Sequence, residues 1–306
     1  MAPVSERAAE NSGPATVPRR GLLAWLALVL RGMAMGIAEL VPGISGGTIA
    51  FVTGIYFELV QTLARIGPRS LVQLLREGPR AFWSGHNLNF LLVLMAGMLA
   101  SVLLFARLLG YLLDTAPPLV WGFFFTLIVA SVVQIGSSLS ARRLTLFGPF
   151  GAAAGLALLL LEPGGSEPAL ASFFFGGMLA VSAWLLPAIS GSFLLLVLGL
   201  YQPVLAAIND GRLLVLAVLA CGCVVGIMAF SRLLSWLMER LREQVLCVLV
   251  GFMAGSLVQL WPWRLDGALL SPAAYEAAAG QPALVAGTVL CGVAGVAALW
   301  LLSRLK

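Results

Sequence analysis

The run Pro42-Gly43-Ile44-Ser45-Gly46-Gly47-Thr48 has the residue types of a helix start suited to holding an anion. Pro42 and Gly43 interrupt any preceding helix, and Ser45 is a candidate N-cap. Gly46 and Gly47 leave the first backbone N–H groups of the next helix uncovered. A helix N-terminus carries partial positive charge and free donors, which suits a phosphate. The same design returns 145 positions later as Pro187-Ala188-Ile189-Ser190-Gly191-Ser192, where Ser192 adds a hydroxyl. Gly54 pairs with Gly199 and Tyr56 with Tyr201 at the same offset, without a gap. The two tips serve either as a paired oxyanion site or as close-packing hinges.

Further polar residues fall within the apolar runs. Arg31, Arg107 and Arg232 lie inside or at the edge of such runs. A charge there faces a cavity or a partner, or else snorkels to the headgroups. Arg107 and Arg232 occupy equivalent positions in the two halves, and an arginine pair suits bidentate recognition of an oxyanion. Glu39 precedes the first tip and has Trp184 as its counterpart. Its carboxylate has three possible roles: carrying a coupling proton, pairing with Arg31 two helical turns back, or capping the tip. Gln134 and Gln259, also equivalent, can hydrogen-bond a headgroup or bridge helices. Gly151 and Gly155 read as plain helix packing.

These residues sit in a chain that is 60% hydrophobic and only 10% charged. A soluble fold of 306 residues could not bury so much apolar surface, so the expected class is an all-α polytopic membrane protein. Cys221, Cys223, Cys247 and Cys291 lie in apolar runs without metal-ligand spacing and read as small packing residues. His86 is the only histidine and falls in a polar stretch, which argues against a zinc site or a His-based hydrolase. No metal, cofactor or nucleic-acid partner is expected. Arg19-Arg20 and the apolar run after them faintly resemble a signal peptide. No small-residue cleavage site follows, so the run reads as a retained first segment. Residues 1–18, rich in Pro, Ser, Ala and Glu, read as a disordered cytoplasmic tail.

Apolar runs near 21–40, 44–64, 88–113, 119–139 and 146–161 are followed by a second set near 170–186, 189–208, 213–238, 245–262 and 283–302. Gly97, Phe105, Arg107 and Leu108 match Gly222, Phe230, Arg232 and Leu233 at an offset of 125, and Ser131 with Gln134 matches Ser256 with Gln259. The drop from 145 to 125 places an insertion of twenty residues within 65–89 of the first half. The expectation is a first repeat over 19–162 and a second over 163–306, each with about five apolar segments. An odd number of segments per repeat inverts the second copy. Thirteen of the eighteen Lys and Arg then fall on the side of both termini, a positive-inside pattern with N- and C-termini cytoplasmic. Loop 65–87, with apolar side chains among its arginines, fits a segment lying flat on the inner surface. Gly199 and Pro203 stop the helix about ten residues after Ser190, roughly half the hydrocarbon thickness. This favours two re-entrant or broken-helix hairpins meeting near the midplane over full crossings. Discontinuous helices in corresponding halves mark a transport site.

The string Met35-Gly36-Ile37-Ala38-Glu39-Leu40-Val41-Pro42 with the tip after it, paired with the second tip and Gly199-Leu200-Tyr201, resembles the polyprenyl-phosphate transporter family of the PopT type. The resemblance covers about 21–302. Ala188 stands where the second motif usually has Gly, and Glu39 where Asp is common. The resemblance implies a flippase of the bacterial cytoplasmic membrane. It would return undecaprenyl phosphate to the inner leaflet after the lipid has delivered its sugar cargo to cell-envelope synthesis. On this view the phosphate meets Ser45, Gly46, Gly47, Thr48, Ser190, Gly191, Ser192, Arg107 and Arg232, by alternating access, while the tail stays in the bilayer. Pro42, Gly43, Pro187 and Ala188 are the helix breaks. The alternatives are a transporter or channel for a small soluble anion and a membrane lipid phosphatase. The phosphatase lacks a His-based acid/base set and a carboxylate cluster.

Overall fold

A computed structural model describes residues 20–41, 45–157, 168–187, 190–265 and 267–304. The expected tail 1–18 and the tip residues Pro42, Gly43 and Ala188 lie outside the described residues. In the first half the apolar runs become α1 (Leu22–Glu39), α2 (Gly46–Val52), α3 (Tyr56–Arg65), α5 (Leu88–Thr115), α6 (Pro117–Gly136) and α7 (Ala141–Ala157). The stretch before α5 is itself helical, α4 (Pro68–Gly85). The second half holds α8 (Leu170–Leu185), α9 (Gly191–Val197), α10 (Tyr201–Asn209), α11 (Leu213–Arg240), α12 (Arg242–Ser256) continued by a 3-10 turn (Leu257–Leu260), and α14 (Val285–Arg304). Between α12 and α14 lie a two-stranded hairpin, β1 (Arg264–Leu265) with β2 (Ala268–Leu269), and the short α13 (Pro272–Ala279).

Among the described residues, six helices are long and apolar enough to cross a membrane: α1, α5, α6, α11, α12 with its 3-10 turn, and α14. Their outer faces expose Leu22, Leu103, Leu214 and Leu290. In water such a surface would aggregate; against lipid tails it costs nothing, and packing between helices must supply the association. Small residues supply it. Gly32 of α1 abuts the Leu94 carbonyl of α5, and Gly97 abuts Val29. In the second half Gly177 of α8 abuts Leu219 of α11, and Gly222 abuts Phe174. Gly32 corresponds to Gly177 and Gly97 to Gly222, so equivalent glycines make the same helix crossing twice. Gly151 and Gly155 pack α7 on α12, as expected of them.

The runs 44–64 and 189–208 do not form straight crossings. Each breaks after seven helical residues, which span about 10 Å of a hydrocarbon core about 30 Å thick. The breaks share one construction. Gly54 and Gly199 adopt left-handed φ values of 78° and 69°. The next N–H reaches back across the last turn, Ile55 to the Ala50 carbonyl at 3.0 Å and Leu200 to the Leu195 carbonyl at 2.8 Å. This closes a helix C-terminus by the Schellman pattern. The chain then bends by 117° into α3 and by 105° into α10.

The stretch 65–87 is largely helical. Pro68 opens α4, and the Ser70 hydroxyl receives the Gly67 N–H at 3.0 Å. Gly78, at φ 83°, kinks it just before Pro79. His86 is buried and structural, bridging the Phe82 carbonyl at 2.9 Å and Ser70 Oγ at 2.8 Å. The sequence reading placed no element in 263–282. There Ser271 caps α13 by accepting the Ala274 N–H at 3.2 Å, and Gly280 closes it at φ 63°.

Candidate functional site

The ends of α1 and α8 meet where the two tips begin. Glu39, the last residue of α1, turns its Oε1 onto the first N–H of α2, that of Gly46, at 2.6 Å. The same oxygen accepts the Trp184 indole N–H of α8 at 2.8 Å. Ser45 is the N-cap of α2, as expected, accepting the Gly47 N–H at 3.1 Å. The first two donors of this helix are therefore held by the chain's own Glu39 and Ser45, and a capping carboxylate also complements the helix dipole.

Pro187 cannot continue α8, so the last carbonyls of that helix need partners from elsewhere. Hydroxyl groups of the first half provide them. Tyr56 Oη donates to the Leu185 carbonyl at 2.8 Å, and Ser45 Oγ lies 3.4 Å from the Trp184 carbonyl and 3.5 Å from that of Leu186. Gly47 permits this approach, since a Cβ there would stand 2.8 Å from the Trp184 carbonyl.

The two tips differ sharply in exposure. All seven residues of α2 are buried, and Ser45 and Thr48 are 0% exposed. No residue of α9 is buried, and Ser192 is exposed. Ser190 makes no side-chain cap; its hydroxyl is 2.7 Å from that of Ser192. Tyr201, equivalent to Tyr56, has no hydrogen bond to a carbonyl of the first half among the described residues. Beside the second tip, Leu186 and Leu194 line an apolar cleft of about 460 Å³ with Met178, Phe230 and Leu233.

The remaining candidates are more scattered. Arg31 is buried within α1, in the electrostatic field of Arg20 and Glu58. Arg20 pairs with Glu58 and lies over the rings of Trp25 and Phe90, and Asn87 donates to Glu58 at 2.9 Å. Arg232 is exposed and donates to the Met228 carbonyl at 3.0 Å and to that of Ile66 at 2.9 Å, closing the C-terminus of α3. Its equivalent Arg107 is exposed on α5 and has no hydrogen bond among the described residues. Gln259 is buried with its amide nitrogen unpaired among the described residues, and Gln134 is exposed. Trp184 and Tyr56 are the contacts that sequence reasoning missed as site residues. Their only signal was position, one opposite Glu39 in the repeat and one closing each motif.

Membrane-crossing helices around two broken pairs, with a half-buried carboxylate that joins the ends of α1 and α8 to the first pair, define an all-α polytopic membrane protein. The chain belongs to the undecaprenyl phosphate translocase-like (VCA0040-like) family, whose profile matches residues 35–274. A polyprenyl-phosphate transporter of Vibrio cholerae serotype O1 is 40% identical over 242 residues, 78% of this chain and 79% of the relative. One from Staphylococcus aureus is 30% identical over 257 residues, 76% of this chain and 85% of the relative. No solved structure matches the chain.

Proposed function

We propose that this protein is a transporter, not an enzyme, and that it carries undecaprenyl phosphate across the bacterial cytoplasmic membrane to the inner leaflet. The observation that carries the reading is the 40% identity to the Vibrio cholerae polyprenyl-phosphate transporter across most of both chains. The termini are cytoplasmic, and 19–162 and 163–306 are inverted repeats whose tips enter from opposite faces. The repeated glycine crossings and the repeated Schellman breaks support that symmetry.

Two equivalent hairpins, one sealed and one open, are what alternating access between symmetric halves requires. In the conformation described, the first hairpin is latched to α8 through Tyr56 and Ser45. In its counterpart, Tyr201 and Ser190 would latch onto the end of α1. The phosphate binds at Ser190, Gly191 and Ser192 in one state and at Ser45, Gly46, Gly47 and Thr48 in the other. Arg107 and Arg232 supply counter-charge, and the apolar cleft beside Leu186 and Leu194 takes the first isoprene units. A phosphate and the Glu39 carboxylate compete for the same Gly46 N–H. Protonation of Glu39 frees that donor and removes a like charge, which couples a proton to the lipid.

The test is reconstitution in liposomes with labelled undecaprenyl phosphate, following its leaflet distribution with and without a pH gradient. Protein-dependent movement between leaflets is the expected result. Flux of a soluble anion in vesicles lacking the lipid would instead favour a small-anion transporter.

A further inference from the structure

A second cavity, polar and of about 810 Å³, lies away from the tips. It opens between the α6–α7 and α11–α12 turns and reaches Phe51 and Gly54 at the break of the first hairpin. Arg143, Arg240 and Arg242 line it together with Glu239 and Glu243. The carboxylates do not cancel all of this positive charge. Glu243 pairs with Arg143 and accepts the Ser140 N–H at 2.9 Å, and Glu239 accepts the Ser235 hydroxyl at 3.3 Å. Arg240 lies 5.6 Å from the Trp236 ring centroid, and Arg242 lies 5.8 Å from that of Phe57. Among the described residues neither guanidinium makes a hydrogen bond or an ion pair. A cation–π contact leaves the guanidinium N–H groups open to a ligand, and two such cations in one cavity match the charge and oxygens of a phosphate.

We infer that this cavity is a phosphomonoester site with Arg240 and Arg242 as its ligands. The inference rests on the transport reading and its topology, which make the cavity the cytoplasmic vestibule where the headgroup leaves or enters. Phe57 lies on α3, so a phosphate that draws Arg242 off its ring also disturbs the helix after the Gly54 break. Arg240 and Arg242 fall in the positive-inside count, so their role was not legible from sequence.

Ser138 lines the cavity, and its hydroxyl only returns to the Gln134 carbonyl at 3.2 Å, so Ser138→Cys is a conservative reporter. The full-length variant in nanodiscs is labelled with a membrane-impermeant maleimide, against the unsubstituted protein as background. Labelling is followed with undecaprenyl phosphate, with undecaprenol and with inorganic phosphate. With the ligand at ten times its Kd, undecaprenyl phosphate is expected to slow labelling about tenfold. R240Q/R242Q removes that protection, and R240K/R242K keeps part of it. Protection by inorganic phosphate as well marks a site open to free anions; protection by the lipid alone marks a headgroup site. Equal protection by undecaprenol, no protection by any ligand, or full protection in R240Q/R242Q overturns the assignment. The leaflet assay on the same protein separates the two ideas. Translocation without protection removes the vestibule site alone, and protection without translocation removes the transport reading.

Discussion

The Glu39 carboxylate and the Trp184 indole, equivalent positions 145 residues apart, are joined by a 2.8 Å hydrogen bond. The same carboxylate oxygen holds the Gly46 N–H at 2.6 Å, so one atom ties α1, α2 and α8 together. In a repeat protein this is informative, because equivalent residues can touch only where the two halves face each other. The contact therefore marks where the halves meet, and it is asymmetric by composition: an acceptor on one side and a donor on the other.

Glu39→Ala takes the acceptor from the buried Gly46 N–H and the half-buried Trp184 indole, and is expected to cost about 1–3 kcal/mol in all, read as a lowered Tm in detergent. Glu39→Gln keeps an acceptor oxygen for both and should stay near wild-type stability. If Glu39 carries the coupling proton, Glu39→Gln also makes lipid movement insensitive to a pH gradient. An unchanged gradient response in that variant would assign Glu39 to capping alone.

Tyr56→Phe and Tyr201→Phe are the same change in the two repeats, with unequal consequences expected. Removing the Tyr56 hydroxyl strands the Leu185 carbonyl, a loss of about 1–3 kcal/mol. Tyr201→Phe should leave the stability within about 0.5 kcal/mol of wild type, as a change at a site without such a bond does. Equal losses would mean that both latched conformers are populated at rest.

Gly47→Ala and Gly54→Ala separate packing from backbone strain. A Cβ at Gly47 meets the Trp184 carbonyl at 2.8 Å, so the tip must move, at a cost of about 1–3 kcal/mol with lost transport. Gly54 has open space around it but φ of 78°, so Gly54→Ala costs only the left-handed backbone penalty of about 1–2 kcal/mol. Gly54→Asn should recover part of that, because Asn tolerates this conformation. Failure of Gly54→Asn to exceed Gly54→Ala in Tm would point to a contact made in another conformer.

Arg107→Ala and Arg232→Ala should both lower lipid movement in the leaflet assay. They should differ in stability, since Arg232 also closes α3 through the Ile66 carbonyl and Arg107 holds no such carbonyl. The expected stability gap is about 1 kcal/mol, the worth of one hydrogen bond. Full transport by both variants would make these arginines structural.

Much of this architecture is legible in the residues themselves. Long apolar runs and Pro-Gly interruptions act locally, through backbone sterics and hydration, so α1, α5, α11 and the broken pairs could be placed without any tertiary contact. Gly199 marked a stop, and the left-handed Schellman turn at that position is the physical form it takes. Ser45 as an N-cap followed from its neighbours for the same reason. The stretch 65–87 was harder, because Gly78 and Pro79 resemble a loop while Pro68 and Ser70 start a helix that survives the kink.

Which tip is sealed was only partly written in the tips. Ser45 and Ser190, Gly46 and Gly191, and Tyr56 and Tyr201 are the same residues in the same order, but Gly47, which permits the close approach, faces Ser192 in the other copy, and Glu39 faces Trp184. What also distinguishes them is whether a stranded carbonyl of the other half lies within hydrogen-bond reach, and Leu185 does so for Tyr56. The sequence by itself determined where the helices break and which groups the breaks would leave unsatisfied. Only the tertiary structure decided which of those groups satisfy one another, because that depends on how two distant helices, α1 and α8, are brought end to end.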